Sequence, residues 1–257
     1  MTQGHLALGQ KPGREEFGSR LQQPVGKVET VVIKQRAVQA EDKEERRHAI
    51  LDAAEALLSE EVDRVANMAE VADRAGLAKG TVYLYFPSKD ELLVALHERH
   101  VDAFFGALSA RLAQPTPVTF DEMLGLTKQY MIDPPTFLPL ATLCFGLMET
   151  AVPRSVAATF KERMTERLTR AGEGLERHFP ELGPGGGIAL LRHSYALILG
   201  LWQMSASHRA QPSDDAAFCA GGAFDYPSEL ARALQALWQG TVGRAADLAR
   251  RFEPQKN

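Results

Sequence analysis

Cysteine is scarce in this chain. Only two occur among 257 residues, Cys144 and Cys219, and they lie far apart. That excludes a disulfide-stapled scaffold and fits two reduced thiols in a cytosolic, hence cytoplasmic, protein. Long apolar runs are missing too: none reaches the roughly 18 residues that a membrane helix needs. The N-terminus, MTQGHLALGQ, lacks a charged start followed by an apolar stretch, so no signal peptide is expected. An excess of positive charge is also absent. The net charge is −4, and between Lys43 and Leu93 acidic residues outnumber basic ones, so the electrostatic footprint of a nucleic-acid binder is weak. Catalytic signatures such as G-x-S-x-G, H-E-x-x-H and C-x-x-C do not occur, and no enzyme, cofactor or metal is expected. The glycines of PELGPGGG, residues 180–187, precede no Lys-Ser/Thr, so they read as a flexible link and not a phosphate loop. His97 and His100 stand one helical turn apart but lack a third ligand nearby, so they read as helix-surface residues.

What is present is an ordinary globular composition, 45% apolar and 24% charged, in a chain long enough for one or two domains. Residues 1–40, with Pro12 and Pro24, read as a mostly disordered or partly helical extension. Within it Val28–Ile33 could form a short strand or extend the next helix. Arg14, Arg20, Lys27, Lys34 and Arg36 could form an arm for a minor groove, against the plainer reading of a solvated tail. From Glu41 to about Ser59, Ile50, Ala53, Ala54, Leu57 and Leu58 follow the spacing of an amphipathic helix.

The stretch from Val71 to Leu93, VADRAGLAKGTVYLYFPSKDELL, organises the rest. Asn67 is a good N-cap with Glu70 three residues on, a capping box. Gly76 sits where that helix should stop, since only Gly takes the left-handed conformation without a Cβ penalty. A second short helix starts at Lys79 and can run only to about Phe86, because Pro87 restricts the residue before it. Ser88 and Glu91 then cap a third. Val82 and Phe86, four apart, can anchor the short helix. Lys79, Gly80, Thr81, Tyr83, Leu84 and Tyr85 are left to meet a major groove, with Lys89 and Arg46 on flanking phosphates. An αα-hairpin corner with Tyr83 and Tyr85 as core aromatics has the same spacing.

The run AGLAKGTVYLYFPSKDELL resembles the DNA-binding signature of the TetR family of bacterial transcriptional regulators. Ala75, Gly76, Lys79, Gly80, Thr81, Tyr83, Phe86, Ser88, Lys89, Leu92 and Leu93 match it, and the likeness reaches back through Ile50, Ala53, Ala54 and Leu57. Ala78 departs from the usual Ser cap, Asn67 from a Thr cap, and Val62 from a Gly. The resemblance implies an all-α protein: a three-helix helix-turn-helix DNA-binding domain over residues 41–88, then a helical ligand-binding and dimerisation domain over 89–253, about nine helices in all. It implies a repressor that binds a pseudo-palindromic double-stranded DNA operator as a homodimer and is released by a small apolar ligand. A regulator without an effector, or an activator, is the alternative, and a helical-scaffold enzyme using Glu149 and His193 a remote one.

The remaining helices follow from their punctuation. Ser88 to about Ala113 should run from the DNA end into the second domain and serve as a lever. Further helices are expected over Phe120–Ile132, Phe137–Thr150, Pro153–His178, Ile188–Ser207 and Pro227–Phe252, with His208–Tyr226 a long loop. By the resemblance, Tyr130, Phe137, Cys144, Met148, Trp202 and Met204 are wall candidates of an effector pocket, with Glu149 and His193 as polar groups that could orient a ligand. The last two helices would pair with a second subunit through Leu197, Gly200, Leu201, Leu230, Leu234, Leu237 and Trp238; alternatively Ile188–Ser207 fills its own subunit's core.

Overall fold

The computed structural model describes the backbone of residues 25–61, 64–210 and 225–252, and the side chains of residues 41–61, 64–205 and 225–243. Val62, the arm basics Arg14, Arg20, Lys27, Lys34 and Arg36, and Cys219 lie outside what is described of side chains. Nine α-helices and no strand occur among the described residues. The chain divides into two compact units, Met1–Glu45 and Arg46–Asn257. In the first, helical backbone begins at Val25 and the side chains of Glu41–Glu45 are exposed. The stretch Val28–Ile33 is therefore helix and not strand. No proline interrupts the sequence from Val25 to Glu60, and α1 runs over that whole span.

The larger unit starts with three helices packed on one apolar cluster. These are the last turns of α1, then α2 (Met68–Arg74) and α3 (Lys79–Tyr85). Ile50, Leu51, Leu58, Met68, Val71, Val82, Phe86, Leu92 and Leu96 make up that cluster. The expected capping box closes α2: the Asn67 side chain accepts from the Ala69 and Glu70 backbone, and Glu70 accepts from the Asn67 N–H at 2.8 Å. Gly76 takes φ +66°. There the Leu77 N–H reaches back to the Ala72 carbonyl at 2.9 Å, a closed helix end. Ser88 caps α4 (Lys89–Leu112), accepting from the Glu91 N–H. The second half of the expected box differs, since the Glu91 carboxylate takes the Ser88 hydroxyl at 3.3 Å.

Beyond it come α5 (Phe120–Thr127, prolonged by a wide π turn over Lys128–Ile132), α6 (Phe137–Thr150), α7 (Arg154–His178), α8 (Gly186–Ala210) and α9 (Tyr226–Phe252). Their core gathers Phe104, Leu108, Leu112, Met123, Phe137, Leu175, Leu190, Ile198, Leu230 and Trp238. The boundary expected at residues 88/89 falls inside this larger unit. Among the described residues no single helix is long and apolar enough to cross a membrane.

The glycine run is not a flexible link. Gly186 and Gly187 form the first turn of α8, and a Cβ on Gly187 would lie 2.2 Å from the Gly172 carbonyl oxygen. A Cβ on Gly172 would stand 2.8 Å from the Ile188 backbone nitrogen. The two backbones cross in contact, and only hydrogen atoms fit between them. Gly187→Ala should therefore lower unfolding free energy by about 2 kcal/mol or more. Gly125→Ala, where an added Cβ meets nothing within 4 Å, should be neutral or stabilising by up to about 1 kcal/mol. Urea titration of both variants checks the contrast.

Candidate nucleic-acid interface and ligand cavity

Helix α3 has only seven residues and no side-chain cap, because Ala78 stands at its N-cap position. So short a helix does not persist alone. It is held by Val82, fully buried, and Phe86, buried at its end, while the Arg47 guanidinium lies over the Phe86 ring at 5.1 Å. The opposite face is open. Leu84 is 84% and Tyr83 41% exposed, Lys79 and Gly80 are exposed, and Thr81 is half-buried. The Lys79 ammonium lies 5.9 Å from the centre of the Tyr83 ring. Tyr85 differs from the expectation, since it packs half-buried against the apolar cluster. Lys89 and Arg46 are exposed.

Several carboxylates of this region are held in ion pairs around it. Glu60 pairs with Arg74 at 2.8 Å, Glu70 with Arg64 at 3.0 Å, and Glu61 with Arg64. Asp52 and Glu55 hold Arg99. These carboxylates sit on α1, α2 and the turn before α2, and none is on α3. The exposed face of α3 thus carries one cation, a phenol and an apolar tip, and no carboxylate.

The second feature is a cavity of about 570 Å³. It is walled by Val101, Phe104 and Leu108 of α4, Met123 of α5, Phe137, Phe145 and Met148 of α6, Phe160 and Met164 of α7, Tyr195 of α8, and Trp238 of α9. The π turn contributes Met131. Most of this lining is apolar. Glu149, Lys161 and Arg192 also line it and are exposed. His97, on α4, is only 2% exposed and also lines the cavity. Its ring stacks on Phe160 at 6.0 Å and meets Phe137 edge-on at 5.6 Å. Burial, and then the positive charge of His100, push its imidazole down to about 4, so the ring is neutral at pH 7.

One turn further on, α4 leads back to the helix-turn-helix. His100 Nε2 stands 3.2 Å from the Glu55 carboxylate on α1 and 3.4 Å from the Thr136 hydroxyl just before α6. Arg99 holds Asp52, Glu55 and the Leu51 carbonyl. The His100 hydrogen bond, together with the charges of His100 and Arg99, holds the Glu55 carboxyl below its usual range against the opposing effect of burial. Leu140 of α6 packs into the same cluster as Val82 and Phe86. The cavity wall and the support of α3 therefore share α4 and α6.

Of the expected pocket residues the structure brings Phe137, Met148 and Glu149 to the cavity. Tyr130, Cys144, His193, Trp202 and Met204 are not in its lining. Cys144 is fully buried beside Val94 and Phe160, donating to the Leu93 carbonyl at 3.7 Å, and burial pushes its thiol up to about 12. His193 and Glu149 are exposed, so they do not form a buried pair. Trp202 meets Tyr226 at 5.5 Å, and Met204 is 45% exposed. Three residues expected at a dimer interface instead fill the subunit's own core: Leu230, Leu234 and Trp238 are buried, and Trp238 donates its indole N–H to Ser194 at 3.1 Å. The apolar stripe of α9 turns inward. Leu197, Leu201 and Leu237 are half-buried and Gly200 exposed.

His97 is missed by sequence reasoning because a histidine pair on a helix, without a third ligand, reads as surface. Its place on the Leu93, Val101, Phe104 stripe already marked it as inward-facing. Among the described residues no three His, Cys, Asp or Glu side chains group to hold a metal ion.

Two family models match the chain. "Bacterial regulatory proteins, tetR family" covers residues 50–96, and "Tetracyclin repressor-like, C-terminal domain" covers residues 98–245. The chain belongs to the TetR family of transcriptional regulators. The HTH-type transcriptional repressor KstR of Mycolicibacterium smegmatis is 31% identical over 152 residues, 58% of this chain and 74% of that protein. KstR of Mycobacterium tuberculosis is 42% identical over 72 residues, 28% of this chain and 33% of that protein. The HTH-type transcriptional activator FasR of M. smegmatis is 38% identical over 74 residues, 29% of this chain and 34% of that protein. The chain thus matches about a third of two of these relatives and three-quarters of the other. TetR-family proteins are regulators and not enzymes, so the scaffold-enzyme alternative falls, and DNA is the partner of this family's helix-turn-helix.

The buried neutral His97 makes stability depend on pH. Its folded value is about 4 against roughly 6.5 when unfolded. The unfolded chain therefore binds the extra proton first as pH falls. The stability associated with this ring is complete above about pH 6.5 and declines toward pH 4, by at most about 3 kcal/mol. Denaturant midpoints compared between wild type and His97→Phe from pH 7.5 to 4.5 should show the variant falling less steeply.

Proposed function

We propose that this TetR-family protein is a repressor that binds a pseudo-palindromic operator as a homodimer and leaves it when a small, largely apolar molecule occupies the cavity. The observation that carries the reading is the pairing of an open α3 face with a largely apolar cavity on the same two helices, α4 and α6. In this reading Thr81, Tyr83 and Leu84 face bases and sugars, Leu84 meeting a thymine methyl. Lys79, Tyr83 and Lys89 hold phosphates, with Gly80 allowing close backbone approach and Arg46 on the flank. Tyr85 takes no DNA contact and braces α3. Residues 41–88 act as the DNA-binding part and residues 89–253 as the ligand-binding and dimerising part of a cytoplasmic protein.

A dimer is required because one short helix reads only one half-site, and two half-sites lie about 34 Å apart along the duplex. The surface proposed for it is what α8 and α9 leave uncovered, including Leu197, Gly200, Leu201, Met204 and Leu237. The ligand acts by binding one spacing of the two α3 helices better than the other. The longer match to KstR favours repression; the match to FasR, named an activator, keeps activation as the second reading.

Duplexes selected by the protein from a random pool should carry inverted half-sites. On such a duplex Leu84→Ala should weaken binding by about 1–3 kcal/mol while leaving stability within about 0.5 kcal/mol. Lys89→Ala should weaken all sequences alike and lower the salt slope by about 1. Fluorescence anisotropy across salt concentrations checks both, and an unchanged slope removes Lys89 from the phosphate contacts.

A further inference from the structure

His97 Nδ1 is buried and has no hydrogen-bond partner, an arrangement that native cores rarely leave without a reason. Two hydroxyls of the cavity wall are engaged. Thr127 donates to the Met123 carbonyl at 2.9 Å, and Ser194 accepts from Trp238. His97 is held between Phe137 and Phe160, so it cannot turn to find water without disturbing both rings. It stands at a buried part of the wall, on the helix that also carries His100 and Arg99 toward α1.

We propose that His97 is the polar anchor of the cavity and that the effector is an apolar alcohol or phenol whose uncharged hydroxyl bonds this imidazole. The inference rests on the reading of the cavity as an effector site. A hydroxyl both donates and accepts, so it serves either tautomer of a neutral ring. At this ring a carboxylate would need the imidazole protonated in an apolar wall, and an ammonium would be buried against a neutral partner; both are disfavoured there, since the charged groups of the lining, Glu149, Lys161 and Arg192, are exposed. Contact at His97 is one turn from the His100–Glu55 pair. Ligand binding is thereby felt where α4 joins the support of α3.

The test uses the full-length chain and two probes of one shape, 2-naphthol and naphthalene, titrated by calorimetry at pH 7.5. Wild type should bind the naphthol more tightly, by about fivefold, the yield of one neutral hydrogen bond. In His97→Phe that preference should shrink to within about twofold while naphthalene binding persists. A second readout needs no variant. In protein labelled with ¹⁵N at histidine, the His97 imidazole nitrogens should shift with 2-naphthol and stay in place with naphthalene. Equal binding of the two probes by wild type, a preference kept in His97→Phe, or an unmoved His97 signal overturns the anchor while leaving the cavity as a ligand site. If neither probe binds, the effector-cavity reading itself falls, and the anchor with it.

Discussion

One helix is buried in two cores, and the arrangement depends on it. Leu92, Leu93 and Leu96 at the start of α4 belong to the cluster under α3, while Val101, Phe104, Leu108 and Leu112 belong to the cluster beyond. A helix packed on several sides cannot slide or turn at one end alone, because close-packed interiors switch between arrangements instead of deforming smoothly. Between the two apolar zones lies a polar seam of Arg99 and His100 facing Asp52, Glu55 and Thr136. Breaking its half-buried pairs would leave charges poorly solvated, so the seam fixes the angle at which α1 meets α4.

Helix α3 shows how little stability of its own a short element needs. Seven residues, Gly80 in the first turn and no side-chain cap give α3 almost none of its own. Val82 and Phe86 supply the attachment, worth about 1.5–3 kcal/mol for each fully buried apolar side chain. What remains exposed is then free of structural duty. Leu84 can stand 84% open because nothing in the fold requires it to be covered. The carboxylates around it are drawn toward arginines on α2, α4 and the turn before α2, which leaves an acidic region with an uncrowded reading face. A net charge of −4 therefore says little about the potential that a phosphate would meet at Lys79.

The cavity runs against the tendency of cores to fill themselves. A void of about 570 Å³ forfeits dispersion contacts along its whole wall, and His97 adds an unpaired nitrogen. The rest of the bundle is packed closely enough that Gly172 and Gly187 bring two backbones into contact. This loosely packed place lies against α4 and α6, the helices that also support α3.

Much was legible in the sequence because it is written locally. Asn67 with Glu70, Gly76, Pro87 and Ser88 punctuate the chain through backbone chemistry that needs no distant partner, and those boundaries fall where expected. The all-α fold and the family followed from them and from helical spacing. Only the tertiary structure decided which apolar face meets which neighbour. It turned Trp238, Leu234 and Leu230 into the subunit's own core, set Glu149 and His193 at the surface, and made the glycine run a helix crossing. It also enclosed His97, a residue whose spacing said inward but whose chemistry said outward. Periodicity fixes the direction of a side chain from its own helix axis; whether protein, solvent or a void lies in that direction depends on helices far away in the chain.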